Sequence, residues 1–114
     1  MEEKAWTESV SGKAQSDGDQ TFDISDFPVG YRLLDNWQIH FEPSATPSAG
    51  TASIYGVPKG GAAAKKVLLK EVDLTSTAAE ALIKIWAGVY DSIIISPDSL
   101  DADKTYAAVL TGWA

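Results

Sequence analysis

Along most of this chain, polar and apolar residues alternate with the period of two that a strand requires, and nowhere do they recur with the 3.6 of a long helix. The cleanest case is Trp37-Gln-Ile-His-Phe-Glu42, where Trp37, Ile39 and Phe41 fall on one face and Gln38, His40 and Glu42 on the other. Such a strand turns one face to a core and the other to water or a partner. Trp6, Glu8 and Val10 alternate more weakly with Ala5, Thr7 and Ser9, which predicts an edge strand running into a turn at Ser16-Asp-Gly-Asp19. Phe22 and Ile24 predict a short strand over 20–24, and Asp26-Phe-Pro-Val-Gly30 breaks the chain before another at 31–34. Strand chemistry resumes at Thr51–Val57. The Ser, Pro and Ala residues of 43–50 read as the turn of a hairpin joining it to the Trp37 strand.

The second half is more apolar. Ser92-Ile-Ile-Ile-Ser-Pro97 is β-branched and closed by a proline, as expected of a buried central strand. From Thr105 to Trp113, Tyr106, Ala108 and Leu110 share one face and Ala107, Val109 and Trp113 the other, with little charge on either, so both faces need cover. Leu100 and Tyr106 lie six apart just ahead of that strand. Sandwich domains turn corners at this spacing with the Tyr hydroxyl bonded back to the loop, so the chain is expected to cross between sheets here. A further short strand is expected over 67–74. Residues 75–91 support two readings, since Thr77-Ala-Ala-Glu80 has the form of a capping box while Ile83-Lys-Ile-Trp-Ala carries strand propensity. The strand is preferred, because Gly88-Val-Tyr-Asp91 suits a tight connection pairing 81–86 with 92–96.

Seven to nine short strands with turn signals about every ten residues describe an all-β antiparallel β-sandwich, jelly-roll or immunoglobulin-like, with at most one short helix near 77–87. The 114 residues suffice for one core, so a single domain is expected over 1–114 with a flexible segment of about 1–5.

Charge changes the picture of partners. Sixteen acidic against nine basic residues leave a net charge of −7, which opposes binding to nucleic acid or to an anionic membrane. Residues 1–57 hold nine acids and three bases, so the acidity is concentrated in the first half. The one basic stretch is Pro58-Lys-Gly-Gly-Ala-Ala-Ala-Lys-Lys66 with Lys70 beyond it, a mobile loop or a dock for an acidic protein surface. There is no cysteine, hence no disulfide or thiolate metal site, and the acidic start shows no apolar leader; the chain is expected to be made soluble in the cytoplasm.

Candidate chemistry is sparse. His40 and Glu42 share a strand face, yet with one histidine and no cysteine no familiar metal set or nucleophilic dyad can be assembled, so no enzyme and no cofactor are expected. Asp98, Asp101 and Asp103, or Asp17 and Asp19, offer oxygens for calcium but match no calcium-loop spacing and serve equally as turn caps. Gly60-Gly61 before Lys65-Lys66 lacks the phosphate-loop pattern. Trp6 and Trp113, near opposite ends of the chain, are either core residues or anchors of a subunit interface, and Lys59, Lys65 and Lys66 are the other candidate interface residues.

The segments Gly50-Thr-Ala-Ser-Ile-Tyr, Glu71-Val-Asp-Leu, Tyr90-Asp-Ser-Ile-Ile-Ile-Ser-Pro, and Leu100 through Thr105-Tyr106 to Leu110-Thr-Gly-Trp113 together resemble the small β-sandwich structural proteins of tailed bacteriophages. The resemblance implies a virion component such as a head decoration (cement) protein, a head fibre or a tail accessory subunit. It further implies a homo-oligomer, with a trimer as the guess, docked on a capsid or tail protein of the same particle. A carbohydrate- or receptor-binding module on the same fold is the alternative.

Overall fold

Two antiparallel four-stranded sheets face each other in the computed structural model, which describes residues 5–32, 34, 36–43, 47–75, 80–83 and 90–113. The strands are β1 (Ala5–Lys13), β2 (Gln20–Asp23), β3 (Asn36–Pro43), β4 (Thr51–Pro58), β5 (Val67–Asp73), β6 (Glu80–Ile83), β7 (Tyr90–Asp98) and β8 (Tyr106–Trp113). One sheet has the order β1-β8-β3-β6 and the other β2-β7-β4-β5. Pairs β1–β8, β2–β7, β3–β6 and β4–β5 are the rungs of one long hairpin folded back on itself, and β3–β8 and β4–β7 form when that hairpin rolls up. This connectivity is a jelly roll, which settles the choice between jelly-roll and immunoglobulin-like architecture.

The strands form where period-two patterning predicts them, because each has a face to bury. On β3, Trp37, Ile39 and Phe41 are buried; on β8, Tyr106, Ala108 and Leu110; on β7, Ile93 and Ile95. These side chains, with Phe22, Ala52, Ile54, Val72 and Leu74, fill the space between the sheets. Ser92–Ser96 is central, flanked by β2 and β4, and Pro97 lies inside β7 opposite Ala52.

Several local expectations fail. The Trp37 strand and Thr51–Val57 do not form a hairpin, because β3 pairs with β8 and β6 while β4 lies in the other sheet. Likewise β6 pairs with β3 rather than with β7. Both errors share a cause: a turn signal marks a reversal of the chain, not the sheet that receives the next strand. Residues 80–83 are strand, as preferred, while the remainder of the 77–87 segment, Trp86 included, lies outside the described residues. Described residues of 31–34 are not strand. Tyr31 N–H closes a turn onto Pro28 O at 3.0 Å, and Arg32 Nε donates to Phe27 O at 2.7 Å. The expected loose start also lies outside the described residues except for Ala5, which opens β1 opposite Trp113.

The chain does cross between sheets from β7 to β8, and this corner is held by side chains from afar. Gln15 Nε2 donates to Pro97 O at 2.8 Å while its Oε1 accepts from Leu100 N–H at 2.9 Å. Asp101 accepts from Ser48 N–H at 2.8 Å and from its hydroxyl at 2.9 Å.

Candidate functional site

The five expected interface residues do not converge on one surface. Trp6 faces inward from β1 and packs against the core, with ring centroids 5.5 Å from Tyr31 and 6.3 Å from Phe27, and its Nε1 donates to Glu8 Oε1 at 3.0 Å. Trp113 alternates to the outer face of the first sheet, where it is partly exposed. Lys59, Lys65 and Lys66 lie together on the turn of the β4–β5 hairpin, on the second sheet.

That hairpin is tight at its tip, and among the described residues no strand pairs with its outer edge. Gly60, at φ +75°, allows the turn that Gly61 N–H closes onto Pro58 O at 2.8 Å, and Gly60 N–H also donates to Asp91 Oδ2 at 2.8 Å. β5 is the edge strand, and a bulge leaves Leu69 as an extra residue between Leu68, opposite Tyr55, and Lys70, opposite Ile54. Val67 and Leu68 are 47% and 51% exposed on this edge. Lys66 lies over the Tyr55 ring, 4.4 Å from its centroid, and its Nζ is 3.9 Å from Asp19 Oδ2. Bulge and lysines together blunt an edge that would otherwise pair indiscriminately.

On the opposite long side, β1 and β2 leave a groove of about 220 Å³ whose lining includes the apolar Val10, Phe22 and Phe27 and the carboxylates of Glu8, Asp23 and Asp26. A second hollow, of about 420 Å³, opens at one end of the sandwich among Val29, Gly30, Arg32 and Lys59, with Val29 84% exposed. Neither was visible in the sequence, since each draws on segments far apart in the chain; the only signal was the local bias of charge.

His40 Nε2 and Glu42 Oε1 stand 3.3 Å apart on the outer face of β3. Among the described residues, no group of three or more acidic or histidine side chains is arranged to hold a metal ion. Of the aspartates considered for calcium, Asp17 accepts from Ala14 N–H at 2.7 Å, Asp19 and Asp103 lie 3.9 Å and 3.4 Å from the Nζ of Lys66 and Lys104, and Ser48 holds the Asp101 carboxyl below the usual range. The Tyr106 hydroxyl does not make the expected corner bond: it is buried with no hydrogen-bond partner among the described residues. Burial, then the nearby charges of Asp19 and Asp17, pushes its pKa up to about 12. Among the described residues, no helix is long and apolar enough to cross a membrane.

No protein-family model matches the chain, and no curated protein matches it. Solved structures do share its fold. The SPBc2 prophage-derived protein YomS superposes with a TM-score of 0.59 over 98% of this chain and 96% of its own, at 10% identity. The mitogen of Yersinia pseudotuberculosis superposes with a TM-score of 0.50 over 97% of this chain and 85% of its own, at 8% identity.

Proposed function

We propose that this chain is a non-enzymatic structural protein of a bacteriophage particle, a capsid decoration or head-fibre or tail accessory subunit that self-associates and docks on the particle. The observation that carries the reading is the jelly roll shared over nearly its whole length with a prophage-derived protein. The surface fits such work. A β5 edge on which Val67 and Leu68 are exposed, and a groove lined by Val10, Phe22 and Phe27 together with Glu8, Asp23 and Asp26, are features that assembly covers. The lysines of the β4–β5 hairpin would meet an acidic neighbour on the particle.

The test is co-sedimentation of the purified chain with particles that lack it. Saturable binding at a stoichiometry matching lattice sites is expected. A chain that ignores particles but binds host-surface glycans on an array replaces this reading with the carbohydrate-binding one.

A further inference from the structure

Two turns of the same form meet at one end of the sandwich. Pro28-Val-Gly-Tyr31 is closed by Tyr31 N–H on Pro28 O at 3.0 Å, and Pro58-Lys-Gly-Gly61 by Gly61 N–H on Pro58 O at 2.8 Å. Each has proline first and glycine third, with φ +100° at Gly30 and +75° at Gly60, a backbone that other residues rarely adopt. The second residue of each turn, Val29 in one and Lys59 in the other, therefore stands exposed at its tip. The hollow of about 420 Å³ is lined, among the described residues, by Val29, Gly30, Arg32 and Lys59, with no acid among them.

This lining joins apolar surface to uncompensated positive charge. Arg32 spends its Nε on Phe27 O at 2.7 Å, which anchors the guanidinium and leaves its two terminal nitrogens for an occupant. Among the described residues neither Arg32 nor Lys59 is in an ion pair, whereas Lys66 is set against Asp19 and Lys104 against Asp103. The carboxylate at this hairpin, Asp91, accepts from Gly60 N–H at 2.8 Å and does not line the hollow, and Asp26 faces the β1–β2 groove. Repulsion from more distant acids is screened beyond about 8 Å at physiological ionic strength.

We propose that this hollow binds a small organic anion, a carboxylate or phosphate head on an apolar body. The head lies between the Arg32 guanidinium, whose planar fork suits either oxyanion, and the Lys59 ammonium. The body lies along Val29 and the backbone that Gly30 leaves uncovered. An inorganic ion would leave that apolar side bare, and a cation would meet two like charges, so the chemistry selects an anion with a body. The volume falls among those of ligand pockets, about 300–1,000 Å³. Such a site depends on neither self-association nor docking, and it adds a ligand to the structural role proposed above.

Titration of the full chain, followed by amide chemical shifts at residues 29–32 and at Gly60, tests the site with four probes. Octanoate and monooctyl phosphate should each shift these amides saturably, and the tighter of the two identifies the head. Acetate, a head without a body, should bind about tenfold more weakly than octanoate, the loss of roughly two buried methylenes. Octylammonium, the same body with the opposite charge, should leave the amides unmoved. Lys59→Glu and Val29→Asp, both at exposed positions, should each weaken octanoate about fivefold and keep the wild-type thermal midpoint. The site is overturned if neither octyl anion gives a saturable shift, if acetate or octylammonium binds as tightly as octanoate, or if both variants bind octanoate like the wild type. None of these outcomes bears on co-sedimentation with particles, which tests the structural role separately.

Discussion

Trp37 on β3 covers Gly112, its partner across the ladder to β8, so closely that a Cβ at Gly112 would stand 2.7 Å from Cζ3 and 2.8 Å from Cε3 and Cη2 of the indole. The ring has little room to yield. It is 2% exposed, its Nε1 donates to Leu34 O at 2.9 Å, and Phe27 lies 5.6 Å away on its flank. Gly112→Ala should therefore displace Trp37 and cost about 1–3 kcal/mol, the usual penalty for an overfilled core. The checks are a lower thermal midpoint and an altered near-ultraviolet dichroism of the indole; an unchanged midpoint would show that the ring moves freely.

Gln15 ties the turn after β2's predecessor strand to the corner between β7 and β8, with donor and acceptor both in use. Replacing it with alanine leaves Pro97 O and Leu100 N–H without those partners. At about 0.5–1.5 kcal/mol per bond, Gln15→Ala should lower stability by about 1–3 kcal/mol. Amide hydrogen exchange at Leu100 reports the local effect and should accelerate beyond the global change.

These two contacts mark the boundary of what the sequence reveals. The faces of β3, β7 and β8 were legible because alternation is a property of one segment, and Trp37, Ile93 and Leu110 are buried as their periods demand. Pairing is not a property of one segment. Val10 meets Ala108 and Phe22 meets Ile93 across most of the chain, and no local pattern encodes such partners. The same limit governs the surface: the lysines of 59–70 stood out by composition, whereas Glu8 and Asp26 become one rim only after β1 and β2 are brought side by side.

The Tyr106 hydroxyl is buried without a partner among the described residues, beside Phe41, whose ring centroid is 6.2 Å away. An unpaired buried hydroxyl costs about 1–3 kcal/mol, and phenylalanine fills the same space without it. Tyr106→Phe should raise stability by about 1 kcal/mol at neutral pH, measured by denaturant titration. The alkaline side gives a second readout. The tyrosine's folded pKa, about 12, lies above its ordinary 10.0, so the unfolded chain ionises first: wild-type stability is unaffected by this group below pH 10 and falls as pH rises towards 12. Stability of the phenylalanine variant should fall less steeply over that window, and parallel curves would contradict the assignment.

Asp101 supplies the opposite pH dependence. Its carboxylate accepts from the backbone N–H and hydroxyl of Ser48, and these bonds hold its pKa below the ordinary 3.8. A depressed carboxyl contributes stability that is fully present above 3.8 and is lost as pH falls through the lower folded value. The contact joins the stretch before β4 to the corner before β8, so protonation should loosen that end of the sandwich. Asp101→Ala removes the contact at every pH: it should be less stable than the wild type at neutral pH, and the difference should shrink in acid as the wild-type carboxylate takes up its proton. Thermal midpoints followed from neutral pH down to about pH 2, below the ordinary carboxylate range, decide the matter, and a difference that persists undiminished in acid would show that Asp101 acts there through something other than its charge.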